Sequence, residues 1–263
     1  VIARLSSRAL VVAAVLLGGC GGATQAAPDS GSLRTAASAP AVPAPAPAAT
    51  AARAPTSPAP APAAPAHALE ALPIHRWPIP YGSARKRQMA QYSLRHYGED
   101  TYLLRDPKVI VEHYTETATA QEAFNTFAPD LPDSEFHELP NTCAHFLVEP
   151  GGRIDQLVPL ELRCRHTTGL NWTAIGIENV GLSDRGILDR PAQLRASLRL
   201  TRWLRCRYAI GLRNVIGHNE SLSSPFHHDL VPAFQHQTHS DWNHADMNRY
   251  RALLERMPCP GAH

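Results

Sequence analysis

Apolar and polar residues alternate with a period of two along several short stretches of this chain, and with a period near 3.6 along others. In Lys108 to His113 the apolar Val109 and Val111 share a face with His113, the pattern of a short strand. Ala144 to Glu149 and Arg153 to Val158, parted by Gly151-Gly152, read as a β-hairpin with a glycine turn. Ala174 to Glu178 and Asn214 to Gly217 are two further runs of strand length. Helical spacing fits residues 84–97, ahead of the stop signal Gly98, and Ala120 to Phe127, ahead of Pro129. It is clearest in Pro191 to Tyr208, where Pro191 suits a first turn. There Leu194, Leu198 and Thr201 recur on one side and Arg195, Arg199 and Arg202 on the next, predicting one stripe toward the core and one toward water. Beyond residue 218 the chain reads as irregular and rich in His and Pro. Helices interleaved with strands predict an α/β fold, a central mixed β-sheet flanked by helices.

These periods are missing from the N-terminal quarter. Arg4 and Arg8 precede an apolar run, Ala9 to Leu17, which is short of the roughly 20 residues that a spanning helix needs. That reads as an export signal over residues 1–19. Its end, Leu17-Gly18-Gly19-Cys20, resembles the lipobox of bacterial lipoproteins, which implies cleavage before Cys20 and lipidation of its thiol. An ordinary secretory signal, giving a soluble secreted protein, is the alternative. In a Gram-negative cell the lack of Asp directly after Cys20 points to the periplasmic face of the outer membrane. Residues 26–67 are mostly Ala and Pro, cannot bury a core and favour extended polyproline II, so residues 20–67 read as a tether. Much of the 44% hydrophobic content is alanine in that tether and overstates the core. Residues 68–263 remain as a single catalytic domain, expected to be a monomer.

A net charge of only +2 gives no reason to expect a nucleic-acid partner. In an oxidising compartment Cys143, Cys164, Cys206 and Cys259 invite two disulfides with three possible connectivities, one of which would staple the C-terminal tail through Cys206 and Cys259. No CxxC spacing is present, so thiolate metal binding is a poor reading.

The chemistry lies in four segments whose polar residues make sense together. VIVEHYTET carries His113 at the end of an apolar run, AIGIENVG closes on Glu178, VIGH ends in His218, and THSDW places His239 two residues before Asp241. His113, Glu178 and His218 all fall at the carboxyl ends of predicted strands, the edge where open α/β sheets bind ligands. Two imidazoles and a carboxylate can hold Zn²⁺ with one position open, and the metal lowers the pKa of water there to about 7. Glu178, closing an apolar strand, suits a general base with a raised pKa. Six of the 14 histidines lie between 218 and 244, and of these His227, His228, His236 and His244 read as surface or supporting residues. His166 in RHTTGLN either lines a substrate cleft or bonds a nearby carbonyl, while His145 reads as a satisfied core histidine.

The ordered set VIVEHYT, CAHFLVEPGGRIDQLVP, RHTTGLN, AIGIENVG and VIGH, over roughly residues 105–242, resembles the type 2 N-acetylmuramoyl-L-alanine amidases. That family shares its fold with animal peptidoglycan recognition proteins and a bacteriophage amidase lysozyme. The resemblance implies a zinc enzyme that cuts the amide between the lactyl group of N-acetylmuramic acid and L-alanine in peptidoglycan or a muropeptide. It places His113 and His218 as zinc ligands and Glu178 as the base. His166 and Asn171, both in RHTTGLN, are the candidate substrate-binding residues. After His218 the chain departs from the family pattern, and the third ligand is Asp241, with Asp229 or His239 as alternatives. His239 holds, relative to Asp241, the place of a family lysine that stabilises the oxyanion, and Trp242 resembles the aromatic that follows the family motif. A murein-binding lipoprotein without catalysis and a zinc hydrolase of another amide are the alternatives. A zincin protease is not, since HExxH is absent.

Overall fold

The computed structural model describes residues 71–260. The export signal, Cys20 and the Ala/Pro tether lie outside the described residues. In chain order the strands are β1 (Ile74–Arg76), β2 (Val109–Tyr114), β3 (Phe146–Val148), β4 (Ile154–Gln156), β5 (Ala174–Asn179) and β6 (Val215–Gly217). The helices are α1 (Ser83–Tyr97), α2 (Ala120–Phe127), α3 (Asp184–Leu188), α4 (Pro191–Tyr208) and α5 (His244–Glu255). The strands form one sheet in the order β1-β4-β3-β5-β2-β6. Only the β3–β4 hairpin is antiparallel, so the sheet is mixed, with helices packed on it as the sequence pattern predicts.

The alternation along β2 and β5 sets the two faces of the sheet. Ile110, Ile175 and Ile177 point to one face, where they meet Leu200 and Leu204 of α4 and Met247, Tyr250 and Leu254 of α5. Val109, Val111 and Ala174 point to the other, with Ile216 and Leu170. Fully burying such a side chain contributes about 1.5–3 kcal/mol, more than a typical net hydrogen bond at about 0.5–1.5 kcal/mol. A one-residue slip would turn both rows over, so burial pins the register. In that register His113 lies beside Glu178.

Local signals explain the helix ends. Gly98 takes a left-handed conformation (φ 73°) and its N–H closes α1 on Leu94 O. Thr119 caps α2 in a capping box with Glu122. In α4, Leu198 and Thr201 are buried and Leu194 half-buried, while Arg195 and Arg199 are exposed and Arg202 half-buried. The period alone did not show that Ser197 and Thr201 form a polar patch on the buried side. Both bond Glu112, the fully buried neighbour of His113 on the opposite face of β2, together with Asn179 and Tyr250. Four donors thus satisfy a carboxyl whose pKa burial raises even against their bonds, and tie α4 and α5 to the back of the strand that carries His113.

Three elements were not expected: β1, α3 and α5. Helix α5 lies in the stretch read as irregular. Its buried side is only Met247, Tyr250 and Leu254, too sparse among polar residues to stand out, although Asn243 caps it through Ala245 N and Asp246 N. The strand β1 is three residues long and exists by pairing with β4. The cysteines pair as Cys143–Cys164 and Cys206–Cys259, the second fastening the last turn of α4 to the tail.

Candidate metal centre

Three segments converge at the carboxyl ends of β2, β5 and β6. His113 and Glu178 are cross-strand neighbours, and His218 follows β6 directly. Asp241 arrives from far along the chain. Its segment crosses β6 so closely that a Cβ on Gly217 would lie 2.0 Å from Trp242 O, which only glycine permits. Asn219 N donates to Asp241 O at 2.9 Å, and the Asp184 carboxylate accepts from Trp242 N and Asn243 N at 2.8 Å each. Trp242 itself is fully buried in the core.

The result is a carboxylate between two imidazoles. Asp241 Oδ2 is 3.1 Å from His113 Nδ1, and Oδ1 is 3.3 Å from His218 Nδ1. His113, His218 and Asp241 are all buried, and each offers a ligand atom within 4.8 Å of the others. Glu178 is 9% exposed and its Oε2 has no partner, and His218 Nε2 is also buried without one. Burial raises the Glu178 pKa to about 7 and drives that of His218 down to about 4. Burial works against the Asp241 charge too, but the bonds from His113 and His218 outweigh it and hold this carboxyl far below its ordinary range. In His113 burial is likewise outweighed, by Asp241 and then Glu178, and the net shift is upward.

The centre lines a cavity of about 300 Å³ whose wall includes Glu116, Glu135, His166, Gln237 and His239. His239 lies on the rim, with its ring stacked on His218 (centroids 4.6 Å apart) and Nε2 3.0 Å from Glu135 Oε2. His166 both lines the cavity and bonds a carbonyl, Ala174 O at 3.3 Å from Nε2. Burial, then the neighbouring His113, holds its pKa well below the ordinary value, so the ring is neutral. His145 is satisfied on both nitrogens, by Gly176 N and Leu162 O.

Asn171 borders the cavity, but its side chain is spent on the loop. Oδ1 accepts from His166 N and Thr167 N at 2.8 Å each, and Nδ2 donates to Tyr92 OH, so it braces the loop. Asp229 lies away from the triad. It holds His96 Nδ1 at 2.9 Å, while Glu138 takes His96 Nε2 at 3.0 Å, and this His is fully buried. His227, His228, His236 and His244 lie outside the triad. The lining residues Thr167, Gln237 and Glu135 carry no sequence signal beyond, for Thr167, adjacency to His166.

A family model described as N-acetylmuramoyl-L-alanine amidase matches residues 103–241, more than half of the chain and the whole span from β2 to Asp241. The chain belongs to the N-acetylmuramoyl-L-alanine amidase family. No curated protein matches it. Among solved structures, it is similar to the endolysin amidase LysCS from Clostridium intestinale (20% identity over 52% of this chain and 76% of that one, TM-score 0.37). It is also similar to AmiD from E. coli, solved with anhydro-N-acetylmuramic acid-L-Ala-D-gamma-Glu-L-Lys (26% identity, 43% and 49%, TM-score 0.35). A third is AmpD (18% identity, 67% and 93%, TM-score 0.42). The chain thus spans about half the length of AmiD and most of AmpD. As a member of this family it is an enzyme, an amidase.

Proposed function

We propose that this amidase is zinc-dependent, with His113, His218 and Asp241 as the ligands, and that it acts on peptidoglycan or its muropeptides. The convergence of those three side chains beside an unpartnered Glu178 carries the reading. The donor set fits zinc: two imidazoles and one carboxylate are a usual ligand complement for a catalytic site, and all three are buried. Zinc, when bound, supplies Lewis acidity, polarising the amide carbonyl and making water a nucleophile at neutral pH. Glu178 takes the proton of the attacking water, for which a pKa near neutrality suits it, and returns it to the departing amine of L-alanine. His239, on the rim, donates to the carbonyl oxygen as negative charge develops there. His166 and Asn171 shape the wall, the first by lining it and the second by holding the loop.

The test is a digest of purified murein. The expected product is a peptide with a new free L-alanine amine, together with intact N-acetylmuramic acid. Release of other fragments would assign the zinc site to a different bond.

On sequence alone, we propose that the tether carries the enzyme from a lipidated Cys20, in a Gram-negative cell at the periplasmic face of the outer membrane. Cys20→Ser is expected to move it from the membrane fraction to the soluble fraction with unchanged specific activity. An unmodified Cys20 in the mature parent would leave simple secretion.

A further inference from the structure

We infer that Thr167 is a positioning residue whose hydroxyl, together with His166, receives the Nε2 proton of His113 and so holds the ring with Nδ1 toward Asp241 and a metal. The inference rests on the metal centre proposed above. His113 Nε2, Thr167 Oγ1 and His166 Nδ1 form a triangle. The sides are 3.2 Å from His113 to Thr167, 2.9 Å from Thr167 to His166, and 3.2 Å between the two imidazole nitrogens.

His113 Nδ1 donates its proton to Asp241 in the metal-free chain, and a cation on that nitrogen takes the place of the proton. The ring's remaining proton is then on Nε2, and one arrangement of protons satisfies all three atoms of the triangle. His166 Nε2 faces Ala174 O, so it carries a proton, and a neutral ring protonated there accepts at Nδ1. The Thr167 hydroxyl has one proton to give. Were it given to His113 Nε2, that nitrogen and His166 Nδ1 would both bring lone pairs into the triangle and the second would have no donor. The proton therefore goes to His166 Nδ1, and His113 Nε2 is the donor that completes the set. His113 Nδ1, on the Asp241 side at 3.1 Å, is then the nitrogen whose lone pair a cation can take.

The surroundings hold the His166 ring and the loop backbone in place, which leaves the threonine hydroxyl only the protons to set. A Cβ on Gly176 would lie 2.6 Å from the His166 ring, so the glycine lets the ring approach β5 closely. Asn171 Oδ1 pins the backbone N–H groups of His166 and Thr167. Thr167 is 1% exposed, so water does not stand in for its hydroxyl. Imidazoles that bind metals commonly donate their other N–H to a fixed acceptor, and losing that acceptor weakens metal binding about 10–100-fold.

Zinc alone, titrated against a chelating dye into the metal-free parent, Thr167→Val and Thr167→Ser, tests the role. Valine keeps the shape without the hydroxyl, and serine keeps the hydroxyl. The expected result is zinc binding weakened about 10–100-fold in Thr167→Val and restored in Thr167→Ser. Imidazole nitrogen NMR of the zinc-loaded parent should place the remaining His113 proton on Nε2. Parental affinity in Thr167→Val, or that proton on Nδ1, would overturn the inference while leaving the metal centre standing. A parent that binds no zinc would overturn the metal centre and the inference with it. The spectrum needs no variant, so it decides the matter even if Thr167→Val does not fold.

Discussion

Replacing Glu178 by Gln is expected to lower turnover on murein by about 10²–10⁴-fold, the usual contribution of a positioned base, while the fold and the zinc content persist. Gln matches Glu in shape and cannot take a proton. Glu178 is 9% exposed and burial raises its pKa to about 7, so its charged form is desolvated in the native fold. A neutral amide removes that cost, and the melting temperature should hold or rise. Its Oε2 has no partner in the protein, so the substitution breaks no hydrogen bond there. Turnover and melting temperature measured on one preparation separate lost chemistry from lost structure. A parental rate would require another base, and a loss of zinc would mean that Glu178 helps to hold the metal.

Much of this arrangement is legible in the sequence because it depends on local periods. The alternation of Val109, Val111 and His113 in one strand, and of Ala174, Gly176 and Glu178 in another, puts both functional side chains on one face before any contact is known. Caps and breakers fix α1, α2 and α4 within a residue or so. What sequence leaves open is set by contacts between distant residues. The return of Asp241 to His218 depends on Trp242 crossing Gly217 and on Asp184 anchoring the turn, and no period encodes either. Asp229 looks equivalent in sequence, with a histidine two residues before it, until its true partner His96 is brought to it by α1. The bracing role of Asn171 was not legible because a polar residue in a cleft loop reads alike whether its amide faces the ligand or its own backbone. The cysteine pairs, like Thr167 beside His113, follow from the fold and not from spacing.

The difference between the two aspartates yields the second large effect. Asp241→Ala removes a carboxylate shared by two buried imidazoles and is expected to abolish stable zinc binding and turnover, since three protein ligands make a catalytic zinc site. Asp229→Ala should keep zinc and lose stability instead. It strips one of two carboxylate partners from a buried imidazole, and Glu138 remains, so the cost should stay below the about 3–5 kcal/mol of leaving a buried charge unpaired. Burial lowers the His96 pKa, but its bonds to Asp229 and then Glu138 outweigh this and the net shift is upward. The stabilisation is thus fully present below the unfolded-state value of about 6.5 and is lost as pH rises through the raised native value. Denaturant titrations over that window should show parental stability falling with pH, and a flatter profile in Asp229→Ala. The most direct test is metal content in the parent, Asp241→Ala and Asp229→Ala, measured side by side on folded protein after dialysis against a weak chelator. About one zinc per chain is expected in the parent and in Asp229→Ala, and none in Asp241→Ala. Zinc retained by Asp241→Ala, or lost from a folded Asp229→Ala, would contradict the proposed centre.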